Sequence, residues 1–136
     1  MTVENPLILH VDDEEDILSV TRLALEMIGG LTVVQCNSGK SAIDLAAERE
    51  PDLFLLDVMM PDIDGPETLR ALRGMSQFEN TPAIFMTARV TQADEAMLKA
   101  CGAVSVVKKP FDPMTLASEI IAIWNQSFQQ EHVARI

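Results

Sequence analysis

Four apolar runs in this chain each end in a polar residue able to do chemistry. Leu7-Ile8-Leu9-His10-Val11 ends at Asp12-Asp13, and Leu53-Phe54-Leu55-Leu56 ends at Asp57. Pro82-Ala83-Ile84-Phe85-Met86 ends at Thr87, and Val104-Ser105-Val106-Val107 ends at Lys108-Lys109-Pro110. If these runs are parallel strands of one sheet, all the polar ends meet at one edge, where open α/β sheets place their ligand sites. Two unit charges ~5 Å apart repel by roughly 3 kcal/mol at an effective dielectric near 20. A cluster of Asp12, Asp13 and Asp57 therefore takes up protons or a cation. Oxygen-only ligands favour Mg²⁺, Mn²⁺ or Ca²⁺ over zinc. Thr87 adds a hydroxyl donor and Lys109 a fixed positive charge, the parts that stabilise a transferring phosphoryl group. Asp57, alone at the end of the most apolar run, is placed to be the nucleophile, since carboxylates form aspartyl-phosphates.

Each group also has a plainer reading. Asp13 could cap a following helix, with Glu14, Glu15 and Asp16 favouring its N-terminal dipole. Thr87 could be a strand-end hydroxyl, and Lys109 a solvated lysine. The conjunction in this order is what points to phosphoryl chemistry.

The elements that must position these groups alternate strand-like and helix-like patterns. Residues 14–29 carry Ile17, Ala24, Leu25 and Ile28 at helical spacing, and Gly29-Gly30 ends the run. Residues 31–36 read as a strand and 39–49 as a second helix, broken by Pro51-Asp52. Asp64 is the predicted N-cap of a third helix, with Glu67 completing a capping box. A fourth helix is predicted near 92–101, ended by Gly102, and a fifth opens at Asp112-Pro113. Runs apolar at every position, such as Leu53-Phe54-Leu55-Leu56, mark strands covered on both faces. Five βα units with right-handed crossovers give an α/β fold: a doubly wound, five-stranded parallel sheet with helices on both sides.

The 136 residues, 48% of them hydrophobic, fit one domain. Its core is expected over about 5–126, with 127–136 extending the last helix or forming a tail. No stretch approaches a membrane span of ~20 apolar residues. Met1-Thr2-Val3-Glu4-Asn5 lacks the start of a signal peptide, so a cytoplasmic location is expected. The net charge of −11 disfavours direct nucleic-acid binding. Cys36 and Cys101 have no zinc-ligand spacing around them and are expected to be buried free thiols. His10 is expected to be a packed strand residue.

His10-Val11-Asp12-Asp13-Glu14, Leu55-Leu56-Asp57-Val58-Met59-Met60-Pro61-Asp62-Ile63-Asp64-Gly65, Met86-Thr87-Ala88 and Lys109-Pro110-Phe111 resemble the marks of a response-regulator receiver domain. The resemblance spans about residues 5–126, with every motif in order and at family spacing. It implies a flavodoxin-like sheet of order 2-1-3-4-5. It also implies that Asp57 accepts phosphate from a phosphohistidine on a sensor histidine kinase or phosphotransfer protein. Asp13 and Asp57 would ligate Mg²⁺ (or Mn²⁺), Asp12 would assist, and the Met59 carbonyl would complete the set. Thr87 would bond the phosphoryl group, with Ala88 following it in the switch segment, and Lys109 would pair with it. Lys108 is set aside because the family lysine directly precedes proline, and the Lys109-Pro110 bond would be cis. The output would be a protein target or an output domain, reached through the surface near the fourth and fifth helices.

One departure stands out. The family usually carries an aromatic residue three positions before the site lysine, and here that position is Val106. The usual threonine–aromatic coupling cannot operate as such, so signalling would rely on backbone shifts after the fourth strand. Met59 and Arg89 occupy the positions where the family tunes dephosphorylation. Rival readings fit less well. Asp62-Ile63-Asp64-Gly65 resembles the Asp-x-Asp motif of haloacid-dehalogenase-type phosphatases, but Met59-Met60-Pro61 separates it from the strand. An FMN carrier would need a phosphate loop after the first strand, and a phosphorylation-independent module would not need all five polar groups. The fifth helix carries two apolar stripes, Leu116/Ile120/Ile123 and Ala117/Ile121/Trp124/Phe128. Either both are buried, or Trp124 and Phe128 edge a contact surface for a homodimer or a protein target.

Overall fold

Parallel neighbours cannot be joined by a hairpin, so each short apolar strand here is followed by a helix that carries the chain back. The computed structural model describes residues 5–134, with side chains through 127. The strands are β1 (Leu7–Val11), β2 (Thr32–Cys36), β3 (Leu53–Asp57), β4 (Ala83–Thr87) and β5 (Ser105–Lys108). The helices are α1 (Glu15–Arg22), α2 (Gly39–Arg49), α3 (Gly65–Arg73), α4 (Gln92–Ala100) and α5 (Leu116–Ala134). All strand pairs are parallel, in the order β2-β1-β3-β4-β5.

The central strands β3 and β4 are buried at all five positions, as their unbroken apolar sequence requires. Successive residues feed opposite cores. Ile8, Leu53, Leu55, Ile84, Met86 and Val107 pack with Leu25 and with Leu116, Ile120 and Trp124 of α5. Leu9, Val11, Phe54, Leu56 and Phe85 pack on the other face with Ala42, Leu69, Leu72 and Leu98 of α2, α3 and α4. Capping follows the sequence: Asp64 and Glu67 form the predicted box, and Thr91 with Asp94 forms a second at α4.

Three expectations need correction, and one open alternative is decided. The first helix is not regular to its end, because Leu23–Ile28 is a π-helical turn, with Gly29 N–H bonded back to Ala24 O at 3.1 Å. The wider turn buries Ala24 and Leu25 together and leaves Met27 exposed, a change of pitch that periodicity cannot register. α5 does not open at Asp112. The Asp112 carboxylate accepts from Met114 N–H and its carbonyl from Leu116 N–H, so it closes a turn ahead of the helix. Cys101 is exposed at the end of α4 rather than buried, and Cys36 is half-buried. Trp124 is 8% exposed and lies in the core, so it does not edge a free surface; the Phe128 side chain lies outside the described residues.

Candidate functional site

β1 and β3 are neighbours, so the residues at their C-terminal ends emerge side by side. One carboxylate oxygen from each of Asp12, Asp13 and Asp57 lies within 4.8 Å of the other two. Asp12 is fully buried and Asp57 nearly so, while Asp13 is exposed. The Asp12 carboxylate accepts from Glu14 N–H at 2.9 Å, so Asp12 rather than Asp13 steadies the entry to α1.

Lys109, just past the end of β5, crosses over the end of β4 to the cluster. Its Nζ donates to Asp12 Oδ2 at 2.8 Å and to Asp57 Oδ1 at 2.9 Å, with 14% of its side chain exposed. Burial alone would lower the Lys109 pKa, but the hydrogen bonds to Asp12 and Asp57 outweigh it and raise it. Lys108 pairs in register with Thr87 and is exposed, away from the carboxylates' ammonium partner. The Lys109–Pro110 peptide is cis.

Burial pushes the Asp57 carboxyl up to about 6; Lys109 opposes that rise, and the charges of Asp12 and Asp13 add to it. Asp57 is therefore mostly ionised at neutral pH, but reluctantly, and gains from any cation that arrives. Thr87, at the end of β4, is 5% exposed, and its Oγ1 accepts from Arg89 N–H at 3.1 Å. Its backbone carbonyl accepts from Lys109 N–H at 2.9 Å, while among the described residues its hydroxyl makes no bond to Asp57 or Lys109, so the hydroxyl proton is left to donate. Ala88 is exposed beside it, Val106 is half-buried on β5, and the Met59 side chain is 72% exposed on the loop after β3. Thr87, Arg89, Val58, Met59 and Met97 line a cleft of about 110 Å³.

Sequence reasoning missed a buried polar chain beneath this edge. His10 is fully buried, and Gln35, its register partner on β2, lies with Nε2 3.0 Å from His10 Nδ1. Gln35 Nε2 also donates to Leu18 O at 2.8 Å, and its Oε1 accepts from Arg22 Nε at 3.1 Å. Those contacts fix the amide's orientation, so Nδ1 accepts and the ring proton sits on Nε2. Burial, then the Lys109 charge, lowers the His10 pKa to about 3, and the ring is neutral. The available signal was a histidine inside an apolar parallel strand, which must find a partner.

The chain is thus a five-stranded 2-1-3-4-5 α/β sheet with an acidic triad and a bridging lysine at its carboxyl edge. A family model described as the response regulator receiver domain matches residues 8–121, and the chain belongs to that family. It is 40% identical over 124 residues to the transcriptional regulatory protein CpxR of Escherichia coli K12, covering 91% of this chain and 51% of that protein. It is 33% identical over 132 residues to the transcriptional regulatory protein YvrH of Bacillus subtilis, covering 97% of this chain and 54% of that one. The chain thus spans about half the length of these curated relatives. Among solved structures, the chemotaxis protein CheY4 of Vibrio cholerae superposes with a TM-score of 0.82 at 29% identity, over 88% of this chain and 98% of that one. The protein is a receiver domain of two-component signalling. No helix among the described residues is long and apolar enough to cross a membrane.

Proposed function

We propose that Asp57 is the phosphoacceptor of a cytoplasmic phosphorelay, supplied by a sensor histidine kinase or a phosphotransfer protein. The observation that carries this is the Asp57 carboxylate itself: buried, reluctantly ionised, and held by Lys109 among two further carboxylates. An Asp57 oxygen attacks phosphorus, the P–N bond to the donor imidazole breaks, and its electron pair returns to the imidazole nitrogen. Lys109 faces the charge that gathers on the phosphoryl oxygens, and the Thr87 hydroxyl donates to one of them. The donor set suits Mg²⁺ or Mn²⁺: Asp13 and Asp57 would hold it, with Asp12 assisting and the Met59 carbonyl completing the set. When bound, the ion neutralises negative charge on the phosphoryl oxygens and the carboxylates.

Residues 1–136 act as a single receiver unit, and its phosphorylation alters the surface near α4 and α5 to control a protein target or an output domain. The relatives named above are transcriptional regulatory proteins, which limits the expectation drawn from charge. We assign the lack of direct nucleic-acid contact to this acidic domain alone. Any action on transcription belongs to an output domain. The protein should take up one acid-labile phosphate from acetyl phosphate with Mg²⁺. Asp57→Asn and EDTA should each abolish it, and full labelling of the Asn variant would refute the assignment.

A further inference from the structure

The first turn of α3 touches the backbone of the proposed phosphoacceptor, and it does so through a residue with no side chain. A Cβ placed on Gly65 would overlap Asp57 O and lie 3.0 Å from Val58 Cα and 3.2 Å from Asp57 C. Gly65 is not among the residues of positive φ, so space rather than backbone freedom is what excludes a side chain. The obstacles are main-chain atoms, which cannot swing aside as the end of a flexible side chain can. Gly65 N–H also donates to Val58 O at 2.9 Å, tying the two segments together.

We infer that Gly65 is a positioning residue for Asp57, its bare Cα letting the first turn of α3 lie as a backstop against the Asp57 peptide and aim the carboxylate at Lys109.

The backstop has nowhere to retreat. Asp64 and Glu67 close a capping box around this turn, Pro66 stiffens it, and the buried Thr68 Oγ1 donates to Asp64 O at 2.8 Å. Behind Thr68 stands α2, where a Cβ on Gly39 would overlap Thr68 Oγ1 and the side chain of Ile63. The layers α2, α3 and β3 are therefore in contact through two glycines. An added methyl at position 65 must be absorbed at the end of β3. Asp57 moves, while Asp12, just past the end of β1, does not. The expected signature is asymmetric: Lys109 keeps its 2.8 Å bond to Asp12 and loses its 2.9 Å bond to Asp57. The geometry stands on the structure alone; its effect on metal affinity rests on the phosphoacceptor reading above.

The test compares wild type with Gly65→Ala, Thr68→Val and Gly29→Ala. Gly29→Ala is the stability control: it lies at the end of the π-helical turn, where a Cβ would overlap Ala117 Cβ and lie 2.9 Å from Leu25 O. Mg²⁺ affinity is read by titration, and the Gly65→Ala crystal structure is solved. We expect Gly65→Ala to weaken Mg²⁺ by tenfold or more and to lengthen Lys109–Asp57 beyond hydrogen-bond reach. Thr68→Val, which unpins the turn but keeps its volume, should weaken Mg²⁺ about threefold. Gly29→Ala should melt earlier yet bind Mg²⁺ within twofold of wild type. If Gly65→Ala does not fold, Thr68→Val carries the test, and wild-type affinity in it overturns the inference. A Gly65→Ala structure with Lys109–Asp57 intact overturns it outright, whatever the metal does. Wild type that binds no Mg²⁺ instead overturns the reading of the site, and with it the predicted effect on affinity.

Discussion

Phe85 on β4 and Val106 on β5 stand opposite each other in parallel register and share one apolar cluster. Phe85 is fully buried and Val106 half-buried. The sequence leaves open which of Phe85, Met86 or Met97 fills the space beside a valine at this position. Met86 faces the opposite core and Met97 is 55% exposed, so Phe85 is the neighbour. Valine is stiff about χ1 and sits against a packed ring. In structures determined with and without beryllofluoride and Mg²⁺, Thr87 and residues 88–92 should shift while Val106 keeps its rotamer. A large Val106 rotation coupled to Thr87 would show that a rotating side chain operates here after all.

The carboxyl of Asp57 makes stability depend on pH with a definite sign. Its folded pKa of about 6 lies above the unfolded value near 3.9, so the folded state binds the extra proton between them. The stability this proton brings is full below about pH 4 and lost as pH rises through 6. In EDTA, wild type should gain stability on acidification from pH 7 to 5, relative to Asp57→Asn. At pH 7 the Asn variant should be more stable by about 2 kcal/mol. Parallel pH profiles for the two proteins, measured by urea denaturation, would contradict the raised pKa.

A shared cation site predicts a shared loss. Mg²⁺ at tenfold over its Kd should stabilise wild type by about 1.4 kcal/mol. Asp57→Asn and Asp13→Asn should each melt higher than wild type in EDTA and respond less to Mg²⁺. Equal Mg²⁺-induced rises in Tm for all three proteins would rule out a common site built from Asp12, Asp13 and Asp57.

The Gln35 amide serves His10 Nδ1, Leu18 O and Arg22 at once. Replacing it by leucine leaves a buried ring nitrogen and a helix carbonyl without that partner. Gln35→Leu should cost about 2 kcal/mol, within the range for stranded buried polar groups. A loss below about 0.5 kcal/mol would mean that water serves these groups equally well.

The sheet and the polar edge are legible in the chain because burial on both faces forces unbroken apolar runs, and each run stops where the strand meets solvent. Asp64 and Glu67 announce α3 in the same local way. What escapes is whatever depends on a second element. The π-helical turn at Leu23–Ile28 and the turn that Asp112 closes keep the composition of ordinary helix. The partnership of His10 with Gln35 needs the register of β1 on β2, which no single strand encodes. The exposure of Cys101 is set by where α4 ends. Arg73 is half-buried, and its guanidinium donates to Phe78 O at 2.7 Å, which ties down the approach to β4.

The bridge from Lys109 to Asp12 joins residues 97 positions apart, almost the full span of the fold. A ribosome therefore delivers the three acids long before the cation that reconciles them. The lysine can meet the acids only once β5 has packed against β4. The receiver is armed last, by the strand made last, so an incomplete chain lacks the lysine that faces an incoming phosphoryl group.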